Sequence, residues 1–259
     1  MSSATSIVII PARYASTRFP GKPLADIKGK SMIQRVYEQA QKSASISAVY
    51  VATDDERIQK HVLQFGGNVV MTSPNHQSGT DRCAEAMQLI EAENNGIEKA
   101  DIIINIQGDE PFIQPEQIDA LVQLFDHERT EIATLIKPIE EDSVLWDVNK
   151  PKVIRGENGN ALYFSRQCIP HLRNIPQSEW LQNHTFFKHI GVYAYRRRTL
   201  QEITQLLPSL LEQAESLEQL RWLENGFSIQ TAITHFESPS IDTPEDLQRI
   251  LHQNLSKKP

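Results

Sequence analysis

Three cations crowd one short loop. Arg13, Arg18 and Lys22 follow the apolar β-branched run Ile7–Ile10, and Asp26 is the only acid nearby. The whole chain carries a formal net charge of −7, so this loop runs against the global balance. Guanidinium and ammonium groups fixed at one place call for an anionic ligand, phosphate first. A solvated basic loop is the plain alternative. Pro11, Pro20, Gly21 and Pro23 weigh against it, because prolines fix φ and reduce the entropy lost on ordering. There is no GxxxxGK frame and no GxGxxG, so a phosphate here must be held by side chains more than by a glycine cradle.

A second chemical stretch is Gln107-Gly-Asp-Glu-Pro111, directly after the apolar run Ile102–Ile106. A carboxylate beside a phosphate site makes sense through a bridging divalent cation, and oxygen ligands with a retained water shell indicate Mg²⁺ on Asp109. Gly-Asp and Glu-Pro are also turn dipeptides, so Glu110 can serve only to shape the turn. Gln107 can read a ligand hydroxyl or carboxylate. In His76-Gln-Ser-Gly-Thr-Asp-Arg82, Ser78, Thr80 and Asp81 can each cap a helix. Arg82 would then oppose the helix dipole in the first turn, so it needs a partner. Further along, strand alternation puts His189, Gly191, Tyr193 and Tyr195 on one face, and Ser165-Arg166 precedes them. A lone His or Tyr is usually structural. Arg166 is the candidate clamp for a ligand carboxylate.

The elements that must carry these groups follow from hydrophobic period. Ile7–Ile10, Ser47–Ala52, Asn68–Met71, Asp101–Ile106 and Glu131–Lys137 read as strands. Between them, Met32, Ile33, Val36, Tyr37 and Ala40 mark one helical face, the stretch up to Phe65 a second, Cys83–Ile90 a third, and Ile118–Phe125 a fourth, begun at Pro115. Alternation of this kind predicts an α/β fold with a doubly wound, mostly parallel sheet, whose ligands sit beyond the carboxyl ends of the strands. After residue 140 the texture changes. Val153–Phe164 reads as a hairpin turning at Asn158-Gly159, and Phe187–Tyr195 as a further strand. The expectation is one domain over residues 1–259, with 140–200 as an inserted lobe.

Composition bounds the rest. A hydrophobic content of 39% supports a sizeable core in a chain of 259 residues. No run of 18 apolar residues exists. Residues 1–6 lack the regions of a signal peptide, and Cys83 and Cys168 give neither a disulfide framework nor a metal-ligand spacing. The expectation is a cytoplasmic protein with a small anionic ligand. Net acidity argues against nucleic acid.

Pro11-Ala-Arg-Tyr-Ala-Ser-Thr-Arg-Phe-Pro-Gly-Lys-Pro23 resembles the N-terminal signature of the 3-deoxy-manno-octulosonate (Kdo) cytidylyltransferases, or CMP-Kdo synthetases. The likeness runs on through Asp242-Thr-Pro-Glu-Asp246 and covers essentially the whole chain. It implies transfer of CMP from CTP to Kdo with release of pyrophosphate, Mg²⁺ held by Asp109 and Asp242, and a homodimer paired through the 140–200 region. It further implies that Pro11, Ala12, Arg13, Arg18, Lys22, Ser78 and Arg82 hold the nucleotide. Gln107, Arg166, His189, Tyr193, Glu218 and Gln219 would hold the sugar, and Lys22, Arg13 and Asp109 would be catalytic. Without the resemblance, turn chemistry suffices for Asp242 and a solvated helix face for Glu218 and Gln219. The competing readings are a cytidylyltransferase for sialic acid or an 8-amino Kdo analogue, a non-catalytic nucleotide- or sugar-binding module, and a metal-dependent glycosyltransferase.

Overall fold

The structure is a computed structural model describing residues 4–15, 19–93, 99–237, 239, 241 and 243–252. Its chain divides into two compact units, residues 1–119 with 237–259, and residues 120–236.

The first unit opens with β1 (Ser6–Ala12). The short pair β2 (Asp26–Ile27) and β3 (Lys30–Ser31) leads to α1 (Met32–Ala40). Strand and helix then alternate through β4 (Ala48–Thr53), α2 (Glu56–Gln64), β5 (Asn68–Met71), α3 (Gly79–Glu93), β6 (Ile102–Asn105) and α4 (Pro115–Gln123). The division between units falls inside α4.

The strands run in the order β6-β1-β4-β5, all parallel. Val8, Ile9, Ile10, Ile103 and Ile104 are fully buried, as continuous apolar runs in a parallel sheet require. Each such side chain contributes roughly 1.5–3 kcal/mol on burial. The strand does not stop at Pro11, as the residue's lack of an N–H suggests. Pairing with β4 continues to Ala12↔Thr53, whereas pairing with β6 ends at Ile9↔Asn105. By alternation the missing donor of Pro11 falls on the β6 side, where no ladder remains to be broken.

Local chemistry sets the helix starts. Ser31 caps α1 by accepting from the Gln34 N–H at 3.2 Å, and the predicted apolar face is buried. Ser31-Met-Ile-Gln34 has the spacing of a capping box, but the Gln34 side chain bonds Glu38 instead of returning to Ser31, so only half of it forms. Asp55 caps α2.

In the second unit, β7 (Ile132–Pro138) is followed by α5 (Asp142–Leu145), β8 (Lys152–Arg155), β9 (Ala161–Ser165) and α6 (Trp180–Asn183). Then come β10 (Phe187–Arg196), α7 (Arg197–Ile203), α8 (Leu210–Glu215), α9 (Gln219–Glu224) and β11 (Ile229–Ile233). β11 lies parallel to β7, while β10 is antiparallel to β7 and to β8. β8 and β9 form the expected hairpin. Gly159 takes φ 84°, which explains why glycine stands in that turn. The 140–200 segment lies wholly inside this unit, and its Leu145, Trp180 and Phe186 form a small core with Ile139, just before it.

The chain returns to the first unit with α10 (Pro244–His252), capped by Thr243, whose Oγ1 accepts from the Asp246 N–H. Leu247 and Ile250 pack with Ile27, Met32 and Ile241. Among the described residues no helix is long and apolar enough to cross a membrane.

Candidate active site

In the first unit, the ends of β1 and β6 open onto a depression of about 270 Å³. Pro11, Ala12, Arg13 and Lys22 line it from the first loop, and Gln107, Gly108 and Asp109 from the loop after β6. Adjacent parallel strands bring together two loops far apart in sequence, as expected at the carboxyl edge of an open sheet. A side chain on Gly108 would place its Cβ 3.1 Å from the Pro11 carbonyl, a tight contact that glycine spares the two loops. Larger space exists in the second unit, in a cleft of about 550 Å³ lined by Gln123, His127, Arg129 and Gln230. That cleft holds none of the chemically singled-out residues, and volume alone does not make a site.

Lys22 Nζ donates to Asp109 Oδ2 at 2.6 Å. Both side chains keep some exposure, 15% and 24%, so the pair faces the depression instead of lying in the core. Arg13 donates through Nη2 to the His76 carbonyl and, at 3.4 Å, to that of Ser78. The loop before α3 is therefore tied to the cationic loop after β1. That loop is itself braced by Glu85, which accepts from the Ser73 N–H at 2.8 Å and pairs with His76 Nε2.

Ser78 serves as a cap. Its Oγ accepts from the Asp81 N–H, and Asp81 Oδ2 accepts from the Ser78 N–H, both at 3.1 Å. Arg82 is wholly buried. It has the partner that its place against the helix dipole demands: Nη1 donates to Thr72 Oγ1 at 2.6 Å and lies 3.4 Å from Asp54 Oδ1. Its Nε and Nη2 make no hydrogen bond. Burial lowers the guanidinium's proton affinity, with Asp54 acting in the opposite direction. Gln107 Nε2 reaches Asn105 Oδ1 at 3.4 Å.

Asp242 and Arg18 lie outside the described residues. The residue before Asp242 is tied to the site, because the Ile241 N–H donates to the Asp109 carbonyl at 3.2 Å.

The second unit gathers a different set around β10. Its pairing with β7 shifts between Ile190 and Tyr193, an irregularity that the alternation pattern does not reveal. Thr134 of β7 fills the gap: Oγ1 lies 2.9 Å from the Val192 carbonyl and 3.0 Å from His189 Nε2. One hydroxyl has one proton. With that proton on the carbonyl, His189 carries its own on Nε2 and donates to Thr134. Desolvation pushes the His189 pKa down to about 3. The residue keeps partial exposure, so the downward direction carries the argument: this imidazole is neutral.

Despite the irregularity, His189, Tyr193 and Tyr195 still share a face, with ring centroids 5.2 and 5.9 Å apart in succession. The Tyr193 hydroxyl is buried without a well-formed hydrogen bond. Burial, reinforced by Glu218, holds its phenol well above the usual range, and Thr134 only partly offsets this. Gln219 is buried too, with Nε2 unpartnered. A buried polar group without a partner is costly, so each of the two calls for a reason.

Arg166 differs from the free clamp that its sequence context suggests. Its Nε donates to the Glu215 carbonyl at 2.6 Å, and Nη1 and Nη2 to the carbonyls of Val148 and Ser216, each at 3.1 Å. A ligand carboxylate could use only the N–H groups left over.

A cytidylyltransferase family model matches residues 7–233. The 3-deoxy-manno-octulosonate cytidylyltransferase of Cytophaga hutchinsonii is 60% identical over 97% of this chain and 99% of its own length. The chain belongs to the 3-deoxy-manno-octulosonate cytidylyltransferase family.

Another such cytidylyltransferase, from Parabacteroides distasonis, is 58% identical over 95% of this chain and 96% of its own. The 8-amino-3,8-dideoxy-manno-octulosonate cytidylyltransferase of Shewanella pealeana is 46% identical over 96% and 98%. A solved CMP:2-keto-3-deoxy-manno-octonic acid synthetase complexed with CTP superposes with a TM-score of 0.87 at 43% identity, covering 96% of this chain and 97% of that one. The shared fold is an α/β nucleotidyltransferase with a mostly parallel central sheet. Within this cytidylyltransferase, sequence reasoning passed over Thr134, Glu85 and Glu215. Thr134 and Glu215 act through partners far along the chain, and Glu85 reaches back to Ser73 and His76 in the loop before its own helix, so no local motif announces them.

Proposed function

We propose that the protein transfers CMP from CTP to the anomeric hydroxyl of Kdo, giving CMP-Kdo and pyrophosphate and so activating Kdo for lipopolysaccharide synthesis. The observation that carries this reading is the Lys22–Asp109 pair at the mouth of β1 and β6, a cation and a carboxylate facing one depression. CTP is assigned to the first unit, on Pro11, Ala12, Arg13, Arg18, Lys22 and Ser78, with Gln107 at the sugar; Arg82, expected from the resemblance to hold the nucleotide, is wholly buried against Thr72 and Asp54 and can act on it only through the loop that it braces. Kdo is assigned to the second, on His189, Tyr193, Glu218, Gln219 and the remaining donors of Arg166.

In this reading the hydroxyl attacks the α-phosphorus in line. The bond from that phosphorus to the bridging oxygen breaks, and pyrophosphate leaves with its charge offset by Arg13 and Lys22. Neutral His189 holds its Nε2 proton on Thr134, so it orients the sugar and is a poor base near pH 7.

The Asp109 carboxylate on the depression suits Mg²⁺, which keeps several waters and is held by one or two carboxylates together with substrate phosphates. Asp109, with Asp242, would hold the ion. When bound, it would neutralise phosphate charge and acidify the attacking hydroxyl.

The second reading, an 8-amino Kdo analogue as acceptor, draws on the Shewanella relatives. A panel of Kdo, its 8-amino analogue and sialic acid, with pyrophosphate release as the readout, decides. Kdo should be fastest, and release should stop on chelation. Faster release with the 8-amino analogue would displace Kdo. We also propose a cytoplasmic homodimer, and a monomer mass by light scattering would reject the pairing.

A further inference from the structure

Glu215 ends α8, directly before the turn that delivers Glu218 and Gln219. Its carboxylate accepts from Ser165 Oγ at 2.7 Å and from the Arg166 backbone N–H at 2.9 Å, so both oxygens are used on the end of β9. Bonds also run the other way. The Arg166 guanidinium donates to the Glu215 carbonyl at 2.6 Å and to that of Ser216 at 3.1 Å. Ser216 sits at φ 51°, a conformation uncommon for a residue other than glycine and one that needs its surroundings to hold it. Leu217, buried, follows, and then Glu218 and Gln219. The turn is thus held at its start by bonds to β9 and at its next residue by an apolar anchor.

We infer that Glu215 is a positioning residue for the second unit's proposed sugar-binding residues. Its side chain fastens the α8–α9 turn to β9 and so fixes where Glu218 and the unpartnered Nε2 of Gln219 present themselves to a polyhydroxylated ligand. The inference rests on the proposed assignment of Glu218 and Gln219 to the sugar acid. Arg166 takes part in the same clasp through its side chain. This gives its guanidinium a role that requires no free face.

The test is steady-state kinetics on the full chain. Glu215→Ala should raise KM for Kdo at least about tenfold, because a misplacement near 1 Å costs on that scale or more, while KM for CTP stays within about twofold. Glu215→Gln keeps an oxygen to accept from Arg166 and should stay within about threefold of the unmutated protein for both substrates. Should Glu215→Ala fail to fold, Ser165→Ala removes one bond of the clasp and should shift KM for Kdo in the same direction. Equal loss for both substrates, or no change in KM for Kdo, overturns the positioning role. A loss in Glu215→Gln as large as in Glu215→Ala overturns its hydrogen-bond basis. The double variant Glu218→Gln with Gln219→Ala separates the two readings. If it leaves KM for Kdo unchanged, the sugar assignment itself fails; if it raises KM while Glu215→Ala does not, only the clasp fails.

Discussion

Lys22 and Asp109 stand 87 residues apart in the chain and meet at 2.6 Å. Their types were legible in the sequence because each sits against its background, a cation in an acidic chain and a carboxylate at the end of an apolar strand. Their meeting was an inference from sheet topology. Other single residues read less well. Arg166 looks like a clamp in sequence, yet its guanidinium is engaged by three carbonyls. No pattern of neighbours predicts which backbone oxygens a long side chain will reach. His189 carries a prediction of its own. Its folded pKa, about 3, lies below the ordinary histidine value, so the unfolded chain takes up a proton first as pH falls. Stability should be undiminished by this group above about pH 6.5 and should decline as pH drops toward 3. Urea unfolding at pH 7.5 and pH 5 should therefore show a larger loss for the unmutated protein than for His189→Gln. Equal losses would mean that His189 does not carry the effect.

Among the elements, the parallel strands of the first unit were the most readable. β1 and β6 are buried on both faces, and their sequences are continuous apolar runs. β10 was harder. Its pairing irregularity moves the register between Ile190 and Tyr193, where the Thr134 hydroxyl of a neighbouring strand bonds the Val192 carbonyl. The start of α3 was ambiguous in sequence, with three residues able to cap it; the structure gives the role to Ser78, in reciprocal bonds with Asp81. Ser78→Ala should cost about 1 kcal/mol of stability, the usual effect of losing such a cap. Denaturant midpoints that do not move would show that the hydroxyl does not hold the helix end. Because Ser78 also offers its carbonyl to Arg13, a backbone contact that the substitution keeps, any change in CTP binding reports on the side chain alone.

At the level of the whole molecule, the α/β class with a mostly parallel sheet was set by the alternation of apolar runs and amphipathic helices. The division into units after residues 119 and 236 was not, since its first boundary falls inside α4, where hydrophobic period continues unbroken. The residues proposed for nucleotide and metal fall in the first unit, and most of those proposed for the sugar acid in the second. Turnover of the purified protein with CTP, Kdo and Mg²⁺, compared with that of Asp109→Ala, bears most directly on the proposed chemistry. The account predicts CMP-Kdo and pyrophosphate in equal amounts from the unmutated protein, and turnover at least ~10²-fold slower from the variant, the scale of one lost preorganised electrostatic contact. Turnover of Asp109→Ala within about tenfold of the unmutated protein, well short of that scale, would contradict it.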